Sequence, residues 1–186
     1  MADLRERILG TCLKRAVPKY KNGYSNNELD ITQIKKDKLL FNDIVHELGE
    51  RVSALSVSAI IGVPETGTWL SEQLKDKVRD RYCIKVSRDP TYPPKPDFFF
   101  RNVADRMLCS VAERSAIIDG VIDGDSGIRQ MLAIPEIGVN AVGAVVVWDK
   151  SLSEKHPKLH IPFQALITEE IPQVIPDNSE LWTYRS

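Results

Sequence analysis

Residues 115–130, SAIIDGVIDGDSGIRQ, hold the densest set of groups that could do chemistry. Gly120, Gly124 and Gly127 permit positive φ and close approach of another backbone. Ser126 has the right type to cap a helix opening at Gly127. Amides at such a start form a nest for an anion, helped by the helix dipole. Asp123 and Asp125 act against that. Two like unit charges about 4 Å apart cost on the order of 1 kcal/mol in water and about 4 at an effective dielectric of 20. A phosphate dianion facing one of these aspartates would lose roughly 10- to 1000-fold in affinity. Asp119 is a different case, because an ionised carboxylate at the end of an apolar strand needs partners. On its glycines alone the loop is an ordinary strand–turn–helix link, and Arg129 alone is an exposed first-turn helix residue.

Something must hold this loop in place, and the surrounding chain alternates short β-branched runs with helical-period stretches. VSAIIG (57–62), YCIKVS (82–87), SAIID (115–119), AVGAVVVW (141–148) and IPFQALIT (161–168) read as strands. Helices are expected at about 67–78 and from Gly127, the latter cut to about two turns by Pro135. Upstream, Leu39, Phe41, Ile44, Val45, Leu48 and Val52 fall close to helical spacing. Apolar strands separated by helices imply an α/β fold with a parallel sheet covered on both faces. In such sheets ligands bind beyond the carboxyl ends of the strands, here GVPETG, SRDP and DGVIDGDSG. The segment 88–106 carries four prolines close together, which forbid helix and central strand there. A long irregular excursion of this kind reads as a lid or as a plain surface loop.

The chain of 186 residues is of a length for one domain, and its formal charge of −1 offers no footprint for nucleic acid and no polybasic face for a membrane. Cys12, Cys83 and Cys109 are few, odd in number and far apart, which is neither a disulfide framework nor a zinc spacing. No apolar leader opens the sequence and no apolar run is long enough to span a bilayer, so a cytoplasmic protein is expected. DGDSG begins like a calcium loop but lacks the later glycine spacing and terminal glutamate. His46, His156 and His160 are scattered without metal spacing, so no metal ligands are assigned. Trp69 suits a core or interface role better than stacking on a base. The aromatics of DFFFRN suit a hairpin core or dimer contact.

Taken together, these motifs resemble the type I phosphoribosyltransferases, and most of all the orotate phosphoribosyltransferases. In that family an apolar strand ends in two acidic residues, followed by two apolar residues, a small hydroxyl- and glycine-bearing loop and an Ala-Ile-Arg-Glu run. Here the acidic pair is Asp119-Gly120, the loop is DGDS and the run is GIRQ. YKNGYSNNELD resembles the N-terminal pocket segment, with Lys21, Gly23, Ser25 and Asp30 on its recurrent positions. IIGVPETG resembles the pyrophosphate loop, with Gly62, Thr66 and Gly67, and IKVSRDP the strand that ends in an Arg-Lys pair, with Arg88 kept.

The resemblance implies a single domain over 1–186: a five-stranded parallel core with helices on both faces over 39–186, an N-terminal hood at 1–38, and a lid at about 88–106. It implies transfer of ribose 5-phosphate from phosphoribosyl pyrophosphate to orotate or a related pyrimidine, with magnesium, in a homodimer. Asp119 would contact the ribose in catalysis. Gly120, Asp123, Gly124, Asp125, Ser126 and Gly127 would form the phosphoribosyl-pyrophosphate loop. Thr66, Gly67 and Arg88 would hold pyrophosphate, while Lys21 and Arg129 would reach the base. The departures are Gly120 for the second acid, Asp123 and Asp125 in the loop, Asp89 for lysine, and a lid without the Lys-Asp-His-Gly run. They admit a second reading, a non-catalytic relative that senses a ligand or binds a partner. A third is a loop selecting an uncharged sugar or a cationic group.

Overall fold

The alternation of apolar runs and amphipathic stretches folds into a layered α/β structure. The computed structural model describes residues 3–14, 28–29, 31–78, 81–89, 98–122, 127–149 and 159–168. In chain order these form α1 (Leu4–Cys12), β1 (Leu13–Lys14), β2 (Glu28–Leu29), a 3-10 turn (Ile31–Lys36), α2 (Lys38–Ala54), β3 (Ala59–Gly62) and α3 (Thr66–Lys75). There follow β4 (Tyr82–Arg88), β5 (Phe98–Phe100), α4 (Val103–Val111), β6 (Ser115–Ile122), α5 (Gly127–Leu132), α6 (Pro135–Asn140), β7 (Ala141–Asp149) and β8 (Phe163–Thr168).

The main sheet has the order β5-β4-β3-β6-β7-β8. Its β4, β3, β6, β7 and β8 run parallel, as the five apolar runs predict, and β5 adds a sixth strand antiparallel to β4. Successive side chains of the strands leave on opposite faces. Ile60, Ile118 and Val145 therefore join a core under α1, α2 and α3, with Ile8, Ile44 and Leu70. Ile61, Ile117 and Val146 join another under α4, α5 and α6, with Cys109, Ile128 and Ile137.

Several expectations are corrected. α2 is capped by Asp37, whose carboxylate accepts from the Leu39 and Leu40 amides, and its buried stripe is Leu40, Ile44, Val45, Leu48 and Val52. Leu39 points away and is exposed. The irregular excursion is shorter than 88–106. Phe98–Phe100 pair with β4, since aromatic residues favour a strand and no proline interrupts them there. Asn102 then caps α4 by accepting from the Asp105 amide. The hairpin role of the three phenylalanines is thus present, and residues 90–97 lie outside the described set. Finally, β6 does not stop at Asp119. Val121 and Ile122 continue it, opposite Trp148 and Asp149, so Asp119 and Gly120 lie within the strand.

Pro135 divides the helical region after the loop into α5 and α6, six residues each. Among the described residues no helix is long and apolar enough to cross a membrane.

Candidate functional site

The carboxyl ends of β3, β4 and β6 lie side by side, and glycines bring the chains that follow β3 and β6 close to them. At Gly62 a Cβ would stand 2.3 Å from the Gly67 carbonyl oxygen and from Thr68 Cα; at Gly67 it would stand 2.1 Å from the Ile118 carbonyl oxygen. The start of α3 therefore rests directly on the backbones of β3 and β6, a contact no side chain permits. The Val63 amide donates to the Ile118 carbonyl at 2.8 Å, and the Thr68 amide to the Val63 carbonyl at 2.9 Å. Between them Glu65 is held at φ 60° and ψ −63°. A non-glycine residue in that region is strained, and such strain gathers at ligand-binding loops. Sequence reasoning did not foresee this position.

Gly127 plays the same part for α5. A Cβ there would meet Val63 Cγ1 at 2.5 Å and Phe98 Cε2 at 3.6 Å, so α5 begins against the β3 loop and the β5 edge.

Asp119 is only 8% exposed. Its carboxylate accepts from the Gly120 amide at 2.7 Å. Burial pushes its pKa up to about 7, partly opposed by hydrogen bonds from the Gly120 and Val121 amides. A carboxyl held near neutrality accepts or donates a hydrogen bond with little bias, which suits a sugar hydroxyl. Its burial within an apolar strand is the partner problem the sequence raised, answered by backbone amides.

Gly120 is where the structure departs most from a ribose site with two acids. A Cβ there would collide with Thr66 Cγ2 at 2.4 Å and press on Ile31 Cγ2 at 3.3 Å. Ile31 is itself buried, in the 3-10 turn that precedes α2. The space a second carboxylate would need is thus filled by a methyl group from α3 and by an isoleucine from the N-terminal segment. Nothing in the sequence around Ile31 pointed to this contact.

The structure thus gathers Thr66, Gly67, Asp119, Gly120 and Gly127 at one edge. Arg88 is the exposed last residue of β4, opposite Phe98. Arg129 is exposed on α5. Lys21 and the loop residues Asp123, Gly124, Asp125 and Ser126 lie outside the described residues. Trp69 takes the packing role expected of it, stacked on Phe41 with centroids 5.1 Å apart and with Lys35 Nζ 4.2 Å from its ring. Among the described residues no group of three or more His, Cys, Asp or Glu side chains converges to hold a metal.

Comparison with solved structures decides the architecture. An adenine phosphoribosyltransferase from Thermoanaerobacter pseudethanolicus matches with a TM-score of 0.67 at 16% identity, over 89% of this chain and 99% of that one. The chain has the type I phosphoribosyltransferase fold. Adenine phosphoribosyltransferase from Trypanosoma brucei, solved with AMP, pyrophosphate and ribose-5-phosphate, matches with a TM-score of 0.67 at 12% identity, over 89% of this chain and 79% of that one. Orotate phosphoribosyltransferase from Aeropyrum pernix matches with a TM-score of 0.62 at 16% identity, over 89% and 90% of the two chains. Phosphoribosyltransferase structures acting on a purine and on a pyrimidine are therefore both similar in fold. No protein-family model and no curated protein sequence matches the chain.

Proposed function

We propose that this is an orotate phosphoribosyltransferase-like protein whose carboxyl-edge site takes a phosphoribosyl ligand but has lost most or all of its capacity to transfer ribose. One observation carries the reading: the filled space over Gly120, where Thr66 and Ile31 stand in place of a second acid. Asp119 remains to hold the sugar, and the glycine-set loop between β3 and α3 remains to take pyrophosphate through Thr66, Gly67 and their amides. Arg88 adds charge beside the pyrophosphate, and Arg129 and Lys21 address the base. Arginine suits a carboxylate such as that of orotate because its fork is planar and bidentate. Ribose transfer passes through a cationic sugar, so its catalysis rests on positioning and on charge around that centre. A single acid, about half protonated at pH 7, supplies less of both. By the same resemblance, magnesium would arrive bound to the pyrophosphate of the ligand.

Calorimetry of the full chain with phosphoribosyl pyrophosphate and magnesium, paired with turnover assays on orotate and on adenine, tests this. Binding without turnover is expected. Turnover in the usual enzymatic range, about 1–1000 s⁻¹, would overturn the loss of transfer. Absence of binding would overturn the ligand.

The competing reading, a working pyrimidine transferase, draws on Asp119, since a buried carboxyl with a pKa of about 7 is typical of a catalytic group. Restoring an acid discriminates between the two. Gly120→Asp needs Thr66→Ser beside it to make room, and Asp123→Thr with Asp125→Gly removes loop charge. Under the first reading these four changes together create transfer where there was none. Under the second they add little.

A further inference from the structure

We infer that the sugar this site selects is a 2-deoxypentose 5-phosphate, with Ile31 and Thr66 forming the wall that meets its C2 methylene. The inference rests on the phosphoribosyl reading above and names the sugar within it.

A pentose ring held in a dry site needs a hydrogen-bond partner at each of its hydroxyls. β6 supplies one acceptor, the Asp119 carboxyl, already anchored by the Gly120 amide at 2.7 Å. At the next position the surface is apolar. Thr66 Cγ2 and Ile31 Cγ2 stand 2.4 Å and 3.3 Å from where a Gly120 Cβ would be, so two methyl groups cover the backbone there. A hydroxyl pressed on such a wall gives up its water and gains no partner, a loss of roughly 5- to 100-fold in affinity. A methylene in its place gains apolar contact instead.

The wall is fixed in place. Ile31 and Ile34 are 4% and 0% exposed and tie the 3-10 turn into the core with Ile8 and Cys12. Lys35, four residues after Ile31, lies over the ring of Trp69, three residues after Thr66 on α3. Trp69 is itself stacked on Phe41 of α2. The turn and α3 are thus tied at Lys35 and Trp69 as well as meeting over Gly120.

Thr66 decides which hydroxyl is missing. It opens the segment proposed to take pyrophosphate, the group carried on C1 of the sugar. The ring carbon on the Thr66 side is therefore C2, and Asp119 is left for the C3 hydroxyl. A site built around a hydroxyl rejects the analogue lacking it by about 10,000-fold or more, whereas an apolar wall rejects an added hydroxyl only about 100-fold. The preference here is of the second, smaller kind, and its direction favours the deoxy sugar.

Calorimetry of the full chain with 2-deoxyribose 5-phosphate, ribose 5-phosphate and phosphoribosyl pyrophosphate tests this. The deoxy sugar should bind about 5- to 100-fold more tightly than ribose 5-phosphate. Ile31→Thr puts a hydroxyl into the wall, and Gly120→Asp with Thr66→Ser puts a second acid there. Either change should shift the ratio of the two dissociation constants toward ribose by about tenfold. Loss of packing weakens both sugars alike, so the ratio isolates the wall. Ribose 5-phosphate bound as tightly as the deoxy sugar, or more so, would overturn the inference, and binding of phosphoribosyl pyrophosphate in the same experiment would leave the phosphoribosyl reading standing. A ratio that neither wall variant moves would overturn the role of Ile31 and Thr66. If none of the three ligands binds, the phosphoribosyl reading falls and the inference with it. Should the variants fail to fold, the ratio in the parent chain decides alone.

Discussion

Replacing Asp119 by asparagine gives the most direct reading of the site, because it removes the titration and almost nothing else. The folded carboxyl has a pKa raised from 3.8 to about 7 by burial. Between roughly pH 4 and pH 7 the unfolded chain has lost a proton that the folded chain retains. Stability from this group is therefore complete below the unfolded pKa, declines as pH rises through the window, and levels off above the folded pKa. A rise from 3.8 to about 7 corresponds to about 4 kcal/mol at most. Asparagine carries no such proton and keeps an oxygen to accept from the Gly120 amide. Urea unfolding of parent and variant across pH 4 to pH 8.5 supplies the difference. That difference should grow in favour of Asp119→Asn with rising pH, by up to about 4 kcal/mol, and then stop changing above pH 7. A difference flat in pH, or one growing in favour of the parent, would refute the account of Asp119 as a desolvated acid. The same variant should lose affinity for phosphoribosyl pyrophosphate while gaining stability at neutral pH, the usual trade at a binding site.

Further substitutions probe the architecture around that residue, each read by chemical denaturation. Gly120→Ala should cost about 1–3 kcal/mol by overpacking against Thr66, and Thr66→Ser in the same chain should recover part of it, so a double-mutant cycle should show coupling rather than simple addition. Gly67→Ala meets the Ile118 carbonyl instead of a side chain, so it should cost roughly 3 kcal/mol or more, with no rescue from a smaller neighbour. Glu65→Gly should raise stability by about 1 kcal/mol by relieving a positive φ, and should loosen the loop proposed above to take pyrophosphate.

The parallel core was legible because β3, β6 and β7, buried on both faces, write themselves as continuous apolar runs, while β4 and β8, less buried, were picked out as shorter apolar stretches beside them. The edge strand β5 was obscured by its setting, since three phenylalanines following a cluster of prolines read as part of an irregular excursion. The end of β6 was misplaced for a related reason. Glycine and aspartate punctuate a sequence like a turn, yet at Gly120 the missing side chain serves close packing and the strand continues. At the site, the glycine pattern announced tight backbone contacts and Asp119 announced a buried charge. What no local pattern could announce was the contact of Ile31 with position 120, because it joins segments some 90 residues apart through packing alone.

The antiparallel partnership of Arg88 with Phe98 has a consequence of its own. Both feet of the intervening segment stand on one rung of the sheet, so its length can change without disturbing the ladder. Doubling such a span costs only about 0.6 kcal/mol in closure entropy. Insertions between these feet are therefore a cheap evolutionary and engineering route to new recognition above an unchanged sheet.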